Sequence, residues 1–214
     1  MSASGPATDG ILAPAKINLN LKIVGRREDG YHLLDSMVVF TAFGDRILVQ
    51  PSPQDSITID GPFGGMLNEP PSENICAKAL TMFRLAGGRV GPLAIHIRKD
   101  IPVGAGLGGG SSNAAALLRW LQENADGAVP DVSLSEIAPS LGADVPACLA
   151  GRALQMTGIG ETITLMSIAP HGRILLASPR VFMPTKTIFT ALAQSDFAIG
   201  EGANAVSQSS AGSV

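Results

Sequence analysis

The chain has 214 residues, of which 15 are basic and 18 acidic, for a formal charge of −3 and a pI near 5.6. Its apolar fraction of 45% and charged fraction of 15% exclude a disordered chain, because disorder requires low hydrophobicity and high charge. The weakly acidic balance argues against a nucleic-acid-binding domain, and the lack of an apolar run of ~18 residues argues against a membrane span, so we expect a cytoplasmic protein with neither partner.

The first third of the chain predicts an antiparallel sheet behind a flexible tail at residues 1–10. Apolar residues alternate with polar ones from Ile17 to Ile23, which is the period of a half-buried strand. Three further runs have strand composition and are separated by turn residues: Met37–Phe43, Arg46–Gln50 and Ser56–Asp60.

Helices and strands alternate in the rest of the chain. Ser72 is expected to cap a helix that runs to about Ala86, and Leu93–Lys99 is predicted as a strand. Ser111 or Ser112 is expected to cap a helix that runs to about residue 124. Shorter predicted elements are a helix opened by a capping box of Ser133 and Glu136, strands at Ala153–Thr157, Glu161–Ile168 and Arg173–Ser178, and a helix at Thr185–Ala193. Strands followed by helices packed on one face indicate the α+β class.

A glycine-rich segment, PVGAGLGGGSS at residues 102–112, lies between a predicted strand and a predicted helix. Glycines allow successive backbone amides to turn toward one point, and the helix start adds unpaired N–H donors and partial positive charge. Ser111 and Ser112 add hydroxyl groups that can bind phosphate or a metal ion. The segment therefore predicts a phosphate site; the alternative, a flexible turn with serine caps, needs neither this length nor this glycine density.

Two common phosphate loops do not fit this segment. The chain has no Gly-Lys-Ser/Thr, which excludes a Walker-type loop. Gly104-x-Gly106-x-x-Gly109 matches the dinucleotide fingerprint, but that fingerprint expects a second strand ending in an acidic residue about 20 positions later. Here the following residues are predicted as a helix, and the sheet begins antiparallel, so the dinucleotide-binding fold is rejected.

Four motifs in fixed order resemble the GHMP small-molecule kinases. They are Ala13-Pro14-Ala15-Lys16-Ile17-Asn18-Leu19, Gly30-Tyr31-His32, the glycine segment with Asn113 and Ala114, and Leu141-Gly142-Ala143-Asp144-Val145-Pro146. The resemblance covers about residues 11–190. It implies an ATP-binding N-terminal domain of the ribosomal protein S5 domain 2-like fold at 11–165, and the start of a ferredoxin-like C-terminal domain at 166–199. The family's third glycine motif has no counterpart here, so we expect a C-terminally incomplete chain that ends in a disordered tail at 200–214.

The resemblance implies that Asp144 takes the proton of a substrate hydroxyl group, and that Lys16 lies beside it. From the residues alone, the simpler interpretation of Asp144 is a helix-cap or turn aspartate, and Lys16 could belong to a solvated polar stripe. For ATP, brought with Mg²⁺ and no dedicated protein metal site, the implied binding residues are Asn74, Lys99, Pro102, Gly104, Gly106, Leu107, Gly108, Gly109, Gly110, Ser111 and Ser112. Asn74 could instead only start a helix, and Lys99 could be a solvated strand end.

Two of the motifs, Gly30-Tyr31-His32 and the segment Leu141–Pro146, narrow the resemblance to members that act on a cytidyl diphospho sugar alcohol in the non-mevalonate route to isoprenoid precursors. The implied substrate-binding residues are Asn18, Tyr31, His32, Thr185 and Phe189, with the two aromatic rings against the cytosine base. The implied function is ATP-dependent phosphorylation of the 2-hydroxyl group of that small molecule. Two alternatives remain open: a GHMP kinase for another small alcohol, such as homoserine or mevalonate, and a nucleotide-binding remnant without activity.

Overall fold

The computed structural model of the chain describes residues 10–67, 70–126, 133–168, 170 and 172–177. Seven strands form one sheet within this part of the chain. They are β1 (Ile11–Asn18), β2 (Lys22–Arg26), β3 (His32–Pro51), β4 (Ser56–Asp60), β5 (Leu93–Arg98), β6 (Leu154–Gly158) and β7 (Thr162–Leu165). The predicted antiparallel start of the sheet is confirmed, because β1 and β2 both run antiparallel to β3.

The 20-residue strand β3 is the centre of the sheet. β1 and β2 pair along one of its edges, and β5 and β6 pair along the other. β4 extends the sheet next to β5 in parallel, and β7 extends it next to β6. Sequence analysis divided β3 into two strands because Gly44 and Asp45 read as a turn. In the structure both residues pair with β1, next to a bulge at residues 41–43.

The described residues form four α-helices: α1 (Ile75–Leu85), α2 (Gly109–Asn124), α3 (Leu134–Leu141) and α4 (Val145–Ala150). Helix α2 is central, since it packs on β1, on β3 and on the other three helices. The apolar face of α2 joins the inward side chains of β3 and β5 in the main core, which includes the fully buried Leu117, Leu118 and Leu121. The α+β architecture predicted from the sequence is thereby confirmed.

The predicted N-cap residues are wrong at α1 and α2, and the predicted capping box of α3 does not form. Ser72 lies inside a short 3-10 turn at Pro71–Glu73, and the side chain of Asn74 caps α1 by accepting from the Cys76 amide at 2.9 Å. Helix α2 begins earlier than predicted, after Gly108 in the left-handed conformation. Ser133 precedes α3 as expected, but its hydroxyl group contacts Ser135 and no capping box forms.

Other differences concern short elements and the two ends of the chain. The predicted first strand divides into β1 and β2, because residues 19–21 leave the ladder. Residues 173–177 are described without strand structure, and α4 was missed. The predicted helix at residues 185–193 and both tails lie outside the described residues, apart from Gly10. None of the helices in the described ranges has the length and apolar character needed to cross a bilayer.

Candidate active site

Lys16 and Asp144 form an ion pair at the centre of the candidate site. Lys16 lies on β1 and its side chain is 4% exposed, whereas the Asp144 side chain is 38% exposed, so the carboxylate faces solvent and the ammonium group lies behind it. The Lys16 Nζ atom is 2.9 Å from Asp144 Oδ1. A carboxylate held this way can accept a proton from an incoming group while the adjacent cation stabilises the charge that develops.

A chain of hydrogen bonds orients the Lys16 ammonium group. Its Nζ atom donates to Asn18 Oδ1 at 3.0 Å, and the Asn18 amide donates to the Ser36 hydroxyl group at 2.6 Å. The fully buried Ser36 in turn donates to the backbone carbonyl of Asn20 at 2.6 Å. The alternation of β1 puts Lys16 and Asn18 on one face, and β3 supplies the buried hydroxyl group beneath them. The solvated-stripe interpretation of Lys16 is therefore wrong.

The glycine loop lies directly against β1. Gly104, Gly106 and Gly108 have φ values of +73°, +72° and +64°, a conformation that glycine adopts without steric cost. A Cβ atom at Gly106 would meet nothing within 4 Å, so this part of the loop faces open space that a ligand can occupy. A Cβ atom at Gly108 would lie 3.1 Å from the Lys16 Cβ atom, which shows how closely the loop crosses β1.

Two hydrogen bonds fix the loop to the strand that carries Lys16. The Lys16 amide donates to the Leu107 carbonyl at 2.9 Å, and the Ser112 hydroxyl group donates to the Pro14 carbonyl at 2.7 Å. Ser112 is 1% exposed, so its hydroxyl group serves this contact. The structure therefore brings together the glycine loop, Lys16 and Asp144, which come from three separate parts of the sequence.

The position of Asp144 depends on α4 and on α2. Asp144 is the N-cap residue of α4, and its carbonyl accepts from the Cys148 amide at 3.0 Å. At the other end of α4, Arg119 of α2 donates to the carbonyls of Cys148 and Leu149 at 2.9 and 3.0 Å. Such bonds satisfy carbonyl groups that a helix leaves unpaired at its C-terminus. Helix α2, which begins at the glycine loop, thus also supports the helix that carries Asp144.

Cys148 lies one turn after Asp144 and is expected to be chemically inert in the folded chain. Burial, together with the negative charge of Asp144, raises the pKa of the thiol to about 12, although Lys16 and Arg119 act in the opposite direction. At pH 8 the thiolate fraction is then on the order of 10⁻⁴, and only the thiolate is nucleophilic.

We therefore predict that a thiol reagent at pH 8 modifies Cys148 at least ~10³-fold more slowly in the native protein than in urea. Because the unfolded thiol ionises near its ordinary pKa of 9.0 and the folded one near 12, the thiol's contribution to stability falls as the pH rises between these values. Cys148→Ala, measured in parallel, identifies the signal of this thiol. Native modification at the rate seen in urea would contradict the prediction.

The other predicted site residues are distributed more widely. The Lys99 ammonium group is buried and bonds to Asp45 and to Asn113, so the solvated-strand-end interpretation is wrong. Asn74 caps α1 and is buried. Ser111, at the start of α2, is partly exposed, and its hydroxyl group faces Gly142. Pro102 and the remaining loop glycines Gly109 and Gly110 continue the same segment into α2.

Tyr31 and His32 lie at the end of the β2–β3 hairpin. Tyr31 is 60% exposed at the turn, which leaves its ring available to a ligand, and His32 opens β3 opposite Arg26. Lys16 pairs with Phe40 of β3. Phe40 is eight residues after His32, which corresponds to about 26 Å along an extended strand. A ligand that contacted both Tyr31 and Lys16 would be long and extended. Thr185 and Phe189 lie outside the described residues.

Sequence analysis missed four residues that support the site: Ser36, Asp45, Asn113 and Arg119. Asn113 stood within the quoted glycine motif and could have been singled out as an amide at a buried helix position. Ser36 and Asp45 lie just outside the predicted strand runs that begin at Met37 and Arg46, so no strand pattern marked them as buried. Arg119 offered no signal, because its target carbonyls belong to a helix that was not predicted.

Among the described residues, no cluster of three or more histidine, cysteine or acidic side chains could hold a metal ion. The open left-handed loop and the start of α2 are instead chemically suited to an anion, since they combine backbone N–H donors with the positive end of a helix.

Comparisons with known proteins agree with this geometry. The family profile described as GHMP kinases N terminal domain matches residues 74–152. The 4-diphosphocytidyl-2-C-methyl-D-erythritol kinase of Agrobacterium fabrum is 44% identical over 185 residues, which cover 84% of this chain and 62% of that protein. The enzyme of the same name from Rhizobium johnstonii is 43% identical, over 85% of this chain and 60% of its own length. The chain thus spans about six tenths of these relatives.

Solved structures give the same result. A crystal structure of 4-(cytidine 5'-diphospho)-2C-methyl-D-erythritol kinase has a TM-score of 0.61 and 40% identity, over 74% of this chain and 55% of that one. A homoserine kinase from Cytophaga hutchinsonii, at 18% identity and a TM-score of 0.52 over 79% of this chain and 55% of its own, shares the fold. The chain therefore carries the N-terminal domain of the GHMP kinases.

Proposed function

We propose that the protein is an ATP-dependent kinase that phosphorylates the 2-hydroxyl group of 4-diphosphocytidyl-2-C-methyl-D-erythritol, in the non-mevalonate route to isoprenoid precursors. The observation that carries the proposal is the Lys16–Asp144 ion pair, 2.9 Å long, beside a glycine loop that is hydrogen-bonded to the same strand. The substrate follows from the names of the relatives at 43–44% identity. The reaction is proposed for the cytoplasm, with a small molecule as the acceptor.

Phosphoryl transfer requires little covalent chemistry from the protein. ATP supplies the γ-phosphoryl group, which the substrate hydroxyl oxygen attacks as the bond to the leaving ADP oxygen breaks. Asp144 accepts the hydroxyl proton, and Lys16 holds the carboxylate and the attacking oxygen in position. The ammonium group of Lys16 is itself fixed by Asn18, so its position does not depend on the ligand. The products are ADP and the phosphorylated alcohol.

The glycine loop at residues 102–112 would hold the ATP phosphates through its backbone amides, and Mg²⁺ would arrive on the phosphate oxygens. The loop is open at Gly106, where an added Cβ atom would meet nothing within 4 Å. Ser111 is a partly exposed residue whose hydroxyl group can add a donor, whereas the hydroxyl group of Ser112 already donates to Pro14. Asn74 at the start of α1 is the further nucleotide contact of this proposal.

The cytosine end of the substrate would bind at the hairpin turn. Tyr31 can stack on the base because its ring is exposed, and aromatic stacking of this kind contributes about 1–3 kcal/mol. His32 is the candidate for hydrogen bonds to the edge of the base, and Asn18 for a contact near the acceptor alcohol. Thr185 and Phe189 remain proposed substrate contacts. A cytidyl diphospho sugar alcohol is long and extended, which suits the separation between this turn and Lys16.

Coupled ADP release tests the proposal. With ATP, Mg²⁺ and 4-diphosphocytidyl-2-C-methyl-D-erythritol we expect ADP to form in proportion to added substrate, whereas homoserine and mevalonate should give none above background. ADP release that ignores the cytidyl substrate would contradict the proposal. Tight ATP binding without turnover on any of the three alcohols would favour a nucleotide-binding protein instead.

Competition by CMP tests the substrate class within the family. CMP should inhibit competitively against the alcohol and not against ATP, because it contains the base and phosphate but no acceptor alcohol. Kinases for homoserine or mevalonate need no base pocket and should not respond to CMP. If millimolar CMP did not inhibit the reaction, the substrate would be another small alcohol.

A further inference from the structure

A buried polar cluster of Asp45, Lys99 and Asn113 lies beneath the glycine loop. The three residues are 0%, 4% and 2% exposed; Asp45 lies on β3, Lys99 directly follows β5, and Asn113 lies on α2. The Lys99 ammonium group donates to Asp45 Oδ2 and, at 3.0 Å, to Asn113 Oδ1. One lysine thereby connects the central strand to the helix that follows the loop.

The cluster also fixes the point where the chain enters the loop. The second oxygen of Asp45, Oδ1, accepts from the backbone amides of Asp100 and Ile101, both at 2.8 Å. These two residues come directly before Pro102, the first residue of the loop. Asp45 therefore holds the entry of the loop through its backbone, while Asn113 holds the first turns of α2, into which the loop leads.

Lys99 lies immediately under the start of α2. A Cβ atom on Gly109 would be 3.1 Å from the Lys99 Nζ atom, and one on Gly108 would be 3.1 Å from the Cβ atom of Lys16. Gly108 thus packs against Lys16, and Gly109 packs against Lys99. Lys16 forms an ion pair with Asp144, and Lys99 forms one with Asp45. A shift of Lys99 would move Gly109 relative to the Lys16–Asp144 pair.

The charge balance of the cluster argues against a direct contact between Lys99 and a phosphate group. The ammonium charge is compensated by the Asp45 carboxylate inside the protein, and the bonds to Asp45 and Asn113 use two of its three donors. A buried ion pair is in general no more stabilising than apolar residues of the same size. The Asp45–Lys99 ion pair is therefore better explained by the position that it gives to the glycine loop than by a contribution to the stability of the fold.

We propose that Asp45 and Lys99 are positioning residues of the glycine loop. They set the direction of the loop amides from beneath, and so affect ATP without contacting it. The proposal rests on the proposed kinase function, and it replaces the expectation that Lys99 contacts ATP. Asn113 transmits the position of Lys99 to α2, and its amide nitrogen, buried without a partner among the described residues, has no other assigned role.

The test is the double variant Asp45→Asn/Lys99→Met, which removes both charges at similar volume and avoids an isolated buried charge. We expect the Kd of Mg·ATP, measured by titration calorimetry, to rise at least ~10-fold, because small displacements of binding groups cause losses of this size. Hydrogen exchange of amides 103–110 should become faster, whereas the KM of the alcohol should stay within about 2-fold of wild type. Thermal unfolding shows that the variant is folded.

A control ion pair of the same chemical type, but partly exposed, joins Arg84 in the last turn of α1 to Asp55. Asp55 accepts from Arg84 and from the backbone amide of Leu93, so it resembles Asp45 in its partners but lies away from the loop. The pair Asp55→Asn/Arg84→Met should leave both the ATP affinity and the exchange of amides 103–110 unchanged. If the double variant at Asp45 and Lys99 behaves like this control, the proposal is overturned.

The single variants separate positioning from direct contact. A Lys99 that contacted ATP would lose affinity in Lys99→Met but not in Asp45→Asn, and that pattern would also overturn the proposal. If the double variant does not fold, Asn113→Ala, which leaves the ion pair intact, should still raise the Kd of Mg·ATP several-fold, and an unchanged Kd would refute the proposal. A wild-type chain that binds ATP but phosphorylates no cytidyl alcohol would contradict the proposed function. The Kd of Mg·ATP in the variants would still test whether Asp45 and Lys99 position the loop.

Discussion

Asp144→Asn is expected to lower kcat for the cytidyl alcohol by about 10²–10⁴-fold, the range lost when a positioned general base is removed. The amide oxygen of asparagine can still accept from the Lys16 ammonium group, so the 2.9 Å contact and the position of α4 should persist. What the amide cannot do is take the proton of the attacking hydroxyl group. The Kd of Mg·ATP should therefore stay within about 3-fold of wild type.

Single-turnover phosphoryl transfer and ATP calorimetry on the same preparation check this result. The control is Asp55→Asn, which makes the same chemical change at a carboxylate that bonds to Arg84 and to the Leu93 amide. Its kcat should lie within about 2-fold of wild type. If Asp144→Asn kept more than a tenth of the wild-type kcat, the residue would only orient the hydroxyl group, and the proton would leave by another route.

Gly44→Ala is expected to destabilise the fold by about 4 kcal/mol, at the upper end of single substitutions. Gly44 pairs with Pro14 at the bulge where residues 41–43 of β3 lie opposite Ala15. An added Cβ atom would be 2.7 Å from the Pro14 Cα atom, and backbone atoms cannot move away without separating β1 from β3. The melting temperature should fall by roughly 10 °C, given 2–4 °C per kcal/mol at this chain length.

Gly65→Ala is the matched control, because a Cβ atom there would meet nothing within 4 Å. Its melting temperature should stay within about 2 °C of wild type. Calorimetric unfolding of both variants gives the comparison. Equal melting temperatures would show that β1 can move away from β3 at low cost, and the close attachment of Lys16 to the sheet would then need another explanation.

The sequence was sufficient for the parts of the fold that depend on local periodicity. The strands at residues 56–60 and 93–98 and the long helix after the glycine loop were predicted within a few residues. The caps failed because they depend on neighbouring structure: the 3-10 turn before Asn74 moves the start of α1, and the left-handed Gly108 moves the start of α2. Helix α4, at six residues, is too short for a periodic signal.

For the site, motifs indicated which side chains to consider, but not what lies beneath them. Lys16, Asp144 and the loop were found from their sequence surroundings, and the structure brings them together. Lys99 was found in the same way, yet its ammonium group is turned inward to Asp45. That partner is 54 residues away in sequence, on another strand, and no local pattern reports such a pairing.

The bulge in β3 has a further consequence for both halves of the site. Ser36, beneath Asn18 and Lys16, and Asp45, beneath the glycine loop, are both fully buried, although they are nine positions apart. In uninterrupted pleating an odd interval would send them to opposite sides of the sheet. The bulge at residues 41–43 shifts the alternation of β3 once. One strand therefore places both Ser36, beneath Lys16, and Asp45, beneath the glycine loop, on its buried face.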